Sequence, residues 1–233
     1  MSEILIKNGF VIDPIHKINC EKMDIAIKDG KIVKKVNEKT AKIIDATGKT
    51  VMAGGVDIHS HIAGAEVNMG RMVRPEDHYK DPVHKTSITR AGTGYSIPST
   101  FVTGYRYSAM GYTSVFNGSI AALKAKHLHE ELNDIPLLDK GTYVLMGDWW
   151  FVLENLAKGD INECARLVAW MMNATRGYAI KVVNPGGLES WGFGHNVHSI
   201  DDQVPNFCIT PREIVRGLIK VNKTLNLPHT IHL

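Results

Sequence analysis

The chain has little cysteine: three thiols in 233 residues, Cys20, Cys164 and Cys208. An odd, scattered set excludes an in-chain iron–sulfur cluster of the four-thiolate kind and points to a reducing, cytoplasmic setting. Long apolar runs are also missing. Those present are short and interrupted, whereas a membrane-spanning helix needs about 20 apolar residues. The start, Met1-Ser2-Glu3-Ile4-Leu5-Ile6-Lys7, lacks the charged stretch and long apolar core of a secretory signal. Charge of one sign is not concentrated anywhere. A net charge of +3, with no Lys/Arg cluster and no interleaving of aromatic with basic residues, argues against a nucleic-acid partner. No G-x-G-x-x-G follows a strand, which removes the usual dinucleotide site. What remains is ordinary for a soluble globular protein: 44% hydrophobic and 22% charged residues, enough apolar material for a buried core.

The pattern along the chain divides it in two. Residues 1–52 read as a small β-rich domain of short strands. Met23–Lys28 and Lys31–Val36 flank Asp29-Gly30, a dipeptide that supplies the positive φ angles of a tight hairpin turn. Residues 53–233 alternate strands with helices. Val56–His61, Gly111–Phe116, Thr142–Gly147, Tyr178–Val183 and Leu227–Leu233 are the expected strands. Residues 62–110 form a long, irregular insertion after the first of them. Ser119 is the expected cap of a helix running to about Leu132. Asp160-Ile161-Asn162-Glu163 reads as a capping box whose helix ends at Gly177, and Thr210-Pro211-Arg212-Glu213 reads as the start of another, running to about Leu225. Such alternation predicts an α/β fold with a parallel sheet and helices outside it, either a (β/α)8 TIM barrel or a doubly wound sheet. Candidate metal ligands at the carboxyl ends of separate strands favour the barrel. A whole barrel takes about 250 residues, so about five strands here imply an incomplete barrel, and a fragment, a split subunit or a truncated product is the expectation.

Two features carry chemistry. His59 and His61 end the first strand, and alternate side chains of a strand share a face. The two imidazoles can therefore grip one metal ion. Asp57 has the same parity and lies below them, as a carboxylate that orients an imidazole or as a buried structural residue. Lys181 is the only charged side chain in Tyr178-Ala179-Ile180-Lys181-Val182-Val183. It either reaches solvent from the strand end, or is a neutral buried amine that takes up CO2 as a carbamate able to bridge two metal ions. The need for a bridging anion is large: two divalent ions about 3.5 Å apart repel by about 19 kcal/mol at an effective dielectric near 20.

Gly54-Gly55-Val56-Asp57-Ile58-His59-Ser60-His61, with Lys181 closing the fourth strand, resembles the amidohydrolase superfamily. Within it, the chain is similar to the family of formylmethanofuran dehydrogenase A subunits. The segments that carry this likeness are Asn8–Pro14, Asp57–His61, Tyr178–Gly187, Trp191–Gly194 and Thr210–Glu213. The likeness spans essentially this whole chain and the first part of that longer protein. The resemblance implies a small β domain joined to a metal-dependent barrel. It implies two zinc ions held by His59, His61 and carboxylated Lys181, with His232 at the position where the family supplies another ligand. The next inward position, beyond Leu233, is the alternative to His232. It implies condensation of formate with methanofuran to N-formylmethanofuran, the reverse of amide hydrolysis. It also implies partner subunits that carry a tungsten- or molybdenum-pterin and iron–sulfur clusters. The family's catalytic aspartate of strand eight falls outside the chain. The other readings are a related cyclic-amide hydrolase, a catalytically silent barrel scaffold and a methylotroph formyltransferase/hydrolase subunit.

Lesser candidates have plainer alternatives. His127 and His129 face different directions on a helix and read as solvated surface. His78, His84, Arg71, Arg74 and Lys85 lie in the long insertion, and His195 and His198 follow strand four. Each could line a site built from strand-end loops or simply be solvated. Trp149-Trp150 reads first as packing and second as a stacking surface.

Overall fold

Asp29 and Gly30 have φ angles of 50° and 76°, the left-handed pair that a two-residue hairpin requires. They join β2 (Ile18–Lys28) to β3 (Lys31–Val33). The preceding strand, β1 (Glu3–Asp13), pairs antiparallel with β2. Along its first half β1 also carries β4 (Lys42–Asp45) in parallel, and along its second half β5 (Thr50–Met52). Among the described residues, Leu5 and Val11 of β1, Ala26 of β2 and Ala46 after β4 are the buried hydrophobic residues of this sheet. The β-rich reading of the first fifty residues holds. The computed structural model describes residues 3–73, 100–192 and 194–228. It divides the chain into two compact units, Met1–Gly55 and Val56–Leu233.

The second unit is built on four strands in the order β6 (Gly55–Ser60), β7 (Tyr112–Ile120), β8 (Asp139–Leu145) and β9 (Ala179–Lys181). β7–β8 and β8–β9 are parallel, so the chain must cross over between them, and helices make the crossovers: α3 (Ala125–Asn133) for the first, α4 (Trp150–Ala157) and α5 (Ile161–Thr175) for the second. α1 (Ala65–Val73) and α2 (Thr100–Ala109) lie between β6 and β7, and α6 (Gly187–Gly192) and α7 (Pro211–Leu225) follow β9. The α/β class expected from the sequence is therefore present. No helix among the described residues is long and apolar enough to cross a membrane.

Register decides which side chains meet. Paired residues of a parallel ladder project to the same side. Phe116 pairs with Gly141, Tyr143 with Ala179 and Leu145 with Lys181, so these share one face. The opposite face carries Val115, Val144, Met146, Ile180 and Val182, packed with Leu128 and Leu132 of α3, Leu153 of α4, Val168 and Met172 of α5, and Ile214 and Leu218 of α7. Burying an aliphatic side chain of this size contributes about 1.5–3 kcal/mol. This outer layer supplies most of the unit's hydrophobic stabilisation and leaves the inner face to chemistry.

Five local expectations differ from the structure. The helix expected from Ser119 starts at Ala125, because β7 runs on to Ile120 and a single 3-10 turn, Ala122–Lys124, follows. The Ser119 carbonyl accepts from the Asn117 side-chain amide at 2.9 Å, which keeps Ser119 in the irregular strand end. The left-handed residue that closes α5 is Arg176 (φ 50°), one position before Gly177. The fourth strand is only three residues long. The insertion after β6 is helical at both described ends, in α1 and α2. Leu227 and Pro228, the described part of the expected fifth strand, have no regular structure; the rest of it lies outside the described residues.

Candidate metal centre

β6 delivers His59 and the residue after it delivers His61, both solvent-exposed, with ring centroids 5.4 Å apart and planes at 62°. β9 ends in Lys181, whose Nζ lies 3.4 Å from His59 Nε2 although the two residues are 122 positions apart in the chain. Three strand spacings of about 4.8 Å would separate β6 from β9 by about 14 Å in a flat sheet. The contact between their side chains is possible because the sheet curls. Lys181 is 1% exposed. Burial holds its amine below the ordinary lysine range, since a low-dielectric setting penalises the charged form. An amine so placed is a better nucleophile and a poorer cation than a surface lysine.

Gly118, on β7 between them, makes the approach possible. A Cβ there would stand 2.5 Å from His59 Cδ2, 2.7 Å from His59 Nε2 and 3.0 Å from His61 Cε1. The two imidazoles thus lie directly over a bare stretch of backbone. Neighbouring Asn117, 1% exposed, pins the irregular step with its bond to the Ser119 carbonyl. Sequence reasoning missed Gly118. The available signal was a glycine inside an apolar strand, which marks a bulge or a close approach.

Asp57 holds the strand end from below. Its carboxylate accepts the His59 backbone N–H at 3.1 Å and the Tyr107 hydroxyl at 3.1 Å. Burial pushes the Tyr107 phenol above its ordinary range, so it stays a donor. Nearer the amino ends of the strands, Phe116 and Tyr143 form an aromatic cluster with Tyr178, the residue before β9. Phe116 stacks on Tyr143 at 5.8 Å and tilts against Tyr178 at 4.7 Å. This cluster, also missed in the sequence, lines the inner face on its amino-terminal side, with Tyr178 half exposed.

The structure thus brings His59, His61 and Lys181 together. Among the described residues, no group of three or more His, Cys, Asp or Glu side chains is arranged to hold a metal ion; here a lysine completes the cluster. His232, His78, His84, Arg74 and Lys85 lie outside the described residues. His198 lines a separate cavity of about 440 Å³ with Asn184, Pro185, Arg212 and Arg216; His195 is exposed. Trp150 packs edge-on against Phe207 at 4.6 Å, the plainer of the two readings. His127 and His129 are not merely solvated. His127 meets Glu131 at 2.8 Å and His129 Nε2 meets the Thr175 carbonyl at 2.8 Å.

Comparison with known proteins adds identity to this geometry. The model of the amidohydrolase family matches residues 42–232. Protein FwdA of Methanocaldococcus jannaschii is 57% identical over 99% of this chain, which covers 40% of that protein. The matching subunit of the formyltransferase/hydrolase complex Fhc of Methylorubrum extorquens is 33% identical over 98% of the chain and 41% of its own length. The crystal structure of that complex, FhcABCD with methylofuran, matches with a TM-score of 0.84 at 31% identity, over 99% of this chain and 42% of the other. The chain spans about two fifths of the length of the curated relatives it matches. The resemblance drawn from the sequence is borne out.

Proposed function

Because the chain belongs to the amidohydrolase family, we propose that it forms the first part of a formylmethanofuran dehydrogenase A subunit, which condenses formate with the amine of methanofuran. One observation carries the reading: two imidazoles and a buried lysine converge over a glycine on the inner face of a parallel sheet. A surface lysine would not need that cradle, and a silent scaffold would gain nothing from burying one. The 57% identity to FwdA, against 33% to the Fhc protein, favours this substrate over the methylotroph one.

The chemistry of the donors suits zinc. His59 and His61 would hold one ion, and Lys181 as a carbamate would bridge to a second, for which His232 or the next inward position would be a further ligand and residues outside this chain would supply the rest. When bound, the ions would polarise the formate or formyl carbonyl and offset the charge that builds on its oxygen. The chain's own residues prepare that site. Burial disfavours the charged form of Lys181 Nζ, and the unprotonated amine has a lone pair that can bond the carbon of CO2. The nitrogen then releases one proton to solvent, and the lysine stem carries a carboxylate of charge −1. Asp57 and Tyr107 hold the strand that carries the imidazoles. Phe116, Tyr143 and Tyr178 give the inner face an apolar lining on its amino-terminal side. The pterin-metal chemistry that makes formate from CO2 belongs to partner subunits in this reading, and the eight-stranded barrel is completed by residues outside the described ones.

The test is metal analysis of the purified full-length protein together with Lys181→Ala. About two zinc ions per polypeptide are expected, falling with the substitution and recovering with small carboxylic acids that replace the carbamate. Less than about one zinc per polypeptide, or activity that survives Lys181→Ala without added acid, would overturn the reading.

A further inference from the structure

We infer that Glu131 is a positioning residue for the metal site: its buried carboxylate sets the course of the chain as it leaves His61. Glu131 sits on the outer helix α3 and is 3% exposed. Its Oε2 accepts the Gly64 backbone N–H at 2.7 Å and the Thr100 hydroxyl at 3.4 Å. Its Oε1 accepts the Asn68 side-chain amide at 2.5 Å and lies 2.8 Å from His127 Nε2. Both oxygens are thus used by donors from three other places in the chain, and a carboxylate can accept them all at once.

The donors share a location. Gly64 is three residues past His61, and the intervening Ile62 and Ala63 are buried at 2% and 3% exposure. Asn68 belongs to α1, and its backbone N–H bonds back to the Gly64 carbonyl at 3.1 Å. Thr100 opens α2 and is fully buried. One carboxylate therefore ties the exit of β6 to the first turn of α1, to the start of α2 and to α3. Burying a carboxylate is costly unless it is fully paired, and a hydrophobic residue would fill the same space. What the carboxylate adds is direction: it aims particular N–H groups at one point. Metal ligands must be held to within about 0.5 Å, and His61 is the ligand nearest this anchor. The Glu131 bond nearest the site is to the Gly64 N–H, so it acts through the backbone of residues 62–64.

This inference rests on the metal-site reading, and the experiment separates the two. Glu131→Gln keeps the shape but turns an amide donor toward Asn68 and His127. Pairing it with Asn68→Asp reverses the direction of that hydrogen bond without changing its shape. Asn68→Ala removes one donor only and serves where Glu131→Gln does not fold. The first readout is the His61 imidazole resonance in the metal-free, full-length protein; the second is zinc affinity by competition with a chelator. Glu131→Gln is expected to move the His61 resonance and weaken zinc binding about tenfold, the lower end for outer-shell substitutions. Asn68→Asp in that background is expected to return both. Asn68→Ala is expected to move them less, in the same direction. A His61 resonance unmoved in Glu131→Gln and Asn68→Ala overturns the inference, as does a movement that the double substitution does not reverse. If the parent protein binds no zinc, the metal reading fails, while the His61 resonance still decides the role of Glu131.

Discussion

Gly118 shows how one missing side chain can define a site. The His59 and His61 rings lie over its bare backbone, and a methyl group there would come within 2.5–3.0 Å of three of their atoms. Backbone on one side and a buried core on the other leave only the rings free to move. Gly118→Ala is therefore expected to leave the fold intact by circular dichroism and to weaken zinc binding by at least tenfold in a chelator titration. An unchanged affinity would show that the rings can turn away and still bind. The residues that such a site presents outward were readable from the sequence, because His59 and His61 are two apart on a strand and parity alone puts them on one face. Lys181 was readable because a lone charge in an apolar strand is anomalous. Gly118 was not, because it contributes space, and space depends on what approaches.

Helix starts were the best-read elements, because a cap is a local hydrogen-bond pattern. In α7, Thr210 Oγ1 accepts the Glu213 N–H at 3.3 Å and the Glu213 carboxylate accepts the Thr210 N–H at 2.8 Å. In α5, Asp160 accepts the Glu163 N–H at 2.9 Å. Bonding to Thr210 holds the Glu213 carboxyl below its ordinary range, so its contribution is present above the usual carboxylate range and is lost as pH falls through the lowered value. Thr210→Ala is expected to cost about 1 kcal/mol in urea unfolding at neutral pH. The difference from the parent should shrink toward low pH; a constant difference would mean that the reciprocal bond contributes nothing. Ser119 misled for the complementary reason: its surroundings, not its own side chain, decide whether a strand continues through it.

At the scale of the whole molecule, the outer hydrophobic layer makes thiol chemistry selective. Burial pushes the Cys164 thiol up to about 11, and no part of it reaches solvent. Cys20 and Cys208 are exposed. Thiolate is the reactive form. Brief alkylation at pH 8, read by peptide mass spectrometry, should label Cys20 and Cys208 and spare Cys164 until the protein is denatured. Early labelling of Cys164 would mean that α5 does not pack as described.

By itself the sequence determined the alternation of strands and helices, the faces of each strand, the starts of α5 and α7, and the imidazole pair. All of these depend on residues within one or two turns of each other. The tertiary structure alone decided that Lys181 meets His59 across 122 positions, that Gly118 leaves room for both rings, and that Glu131 anchors the chain beyond His61. Those relations depend on how strongly the sheet curls and where its helices press. Curvature is the summed result of packing over the whole outer face, and no single stretch of sequence encodes it.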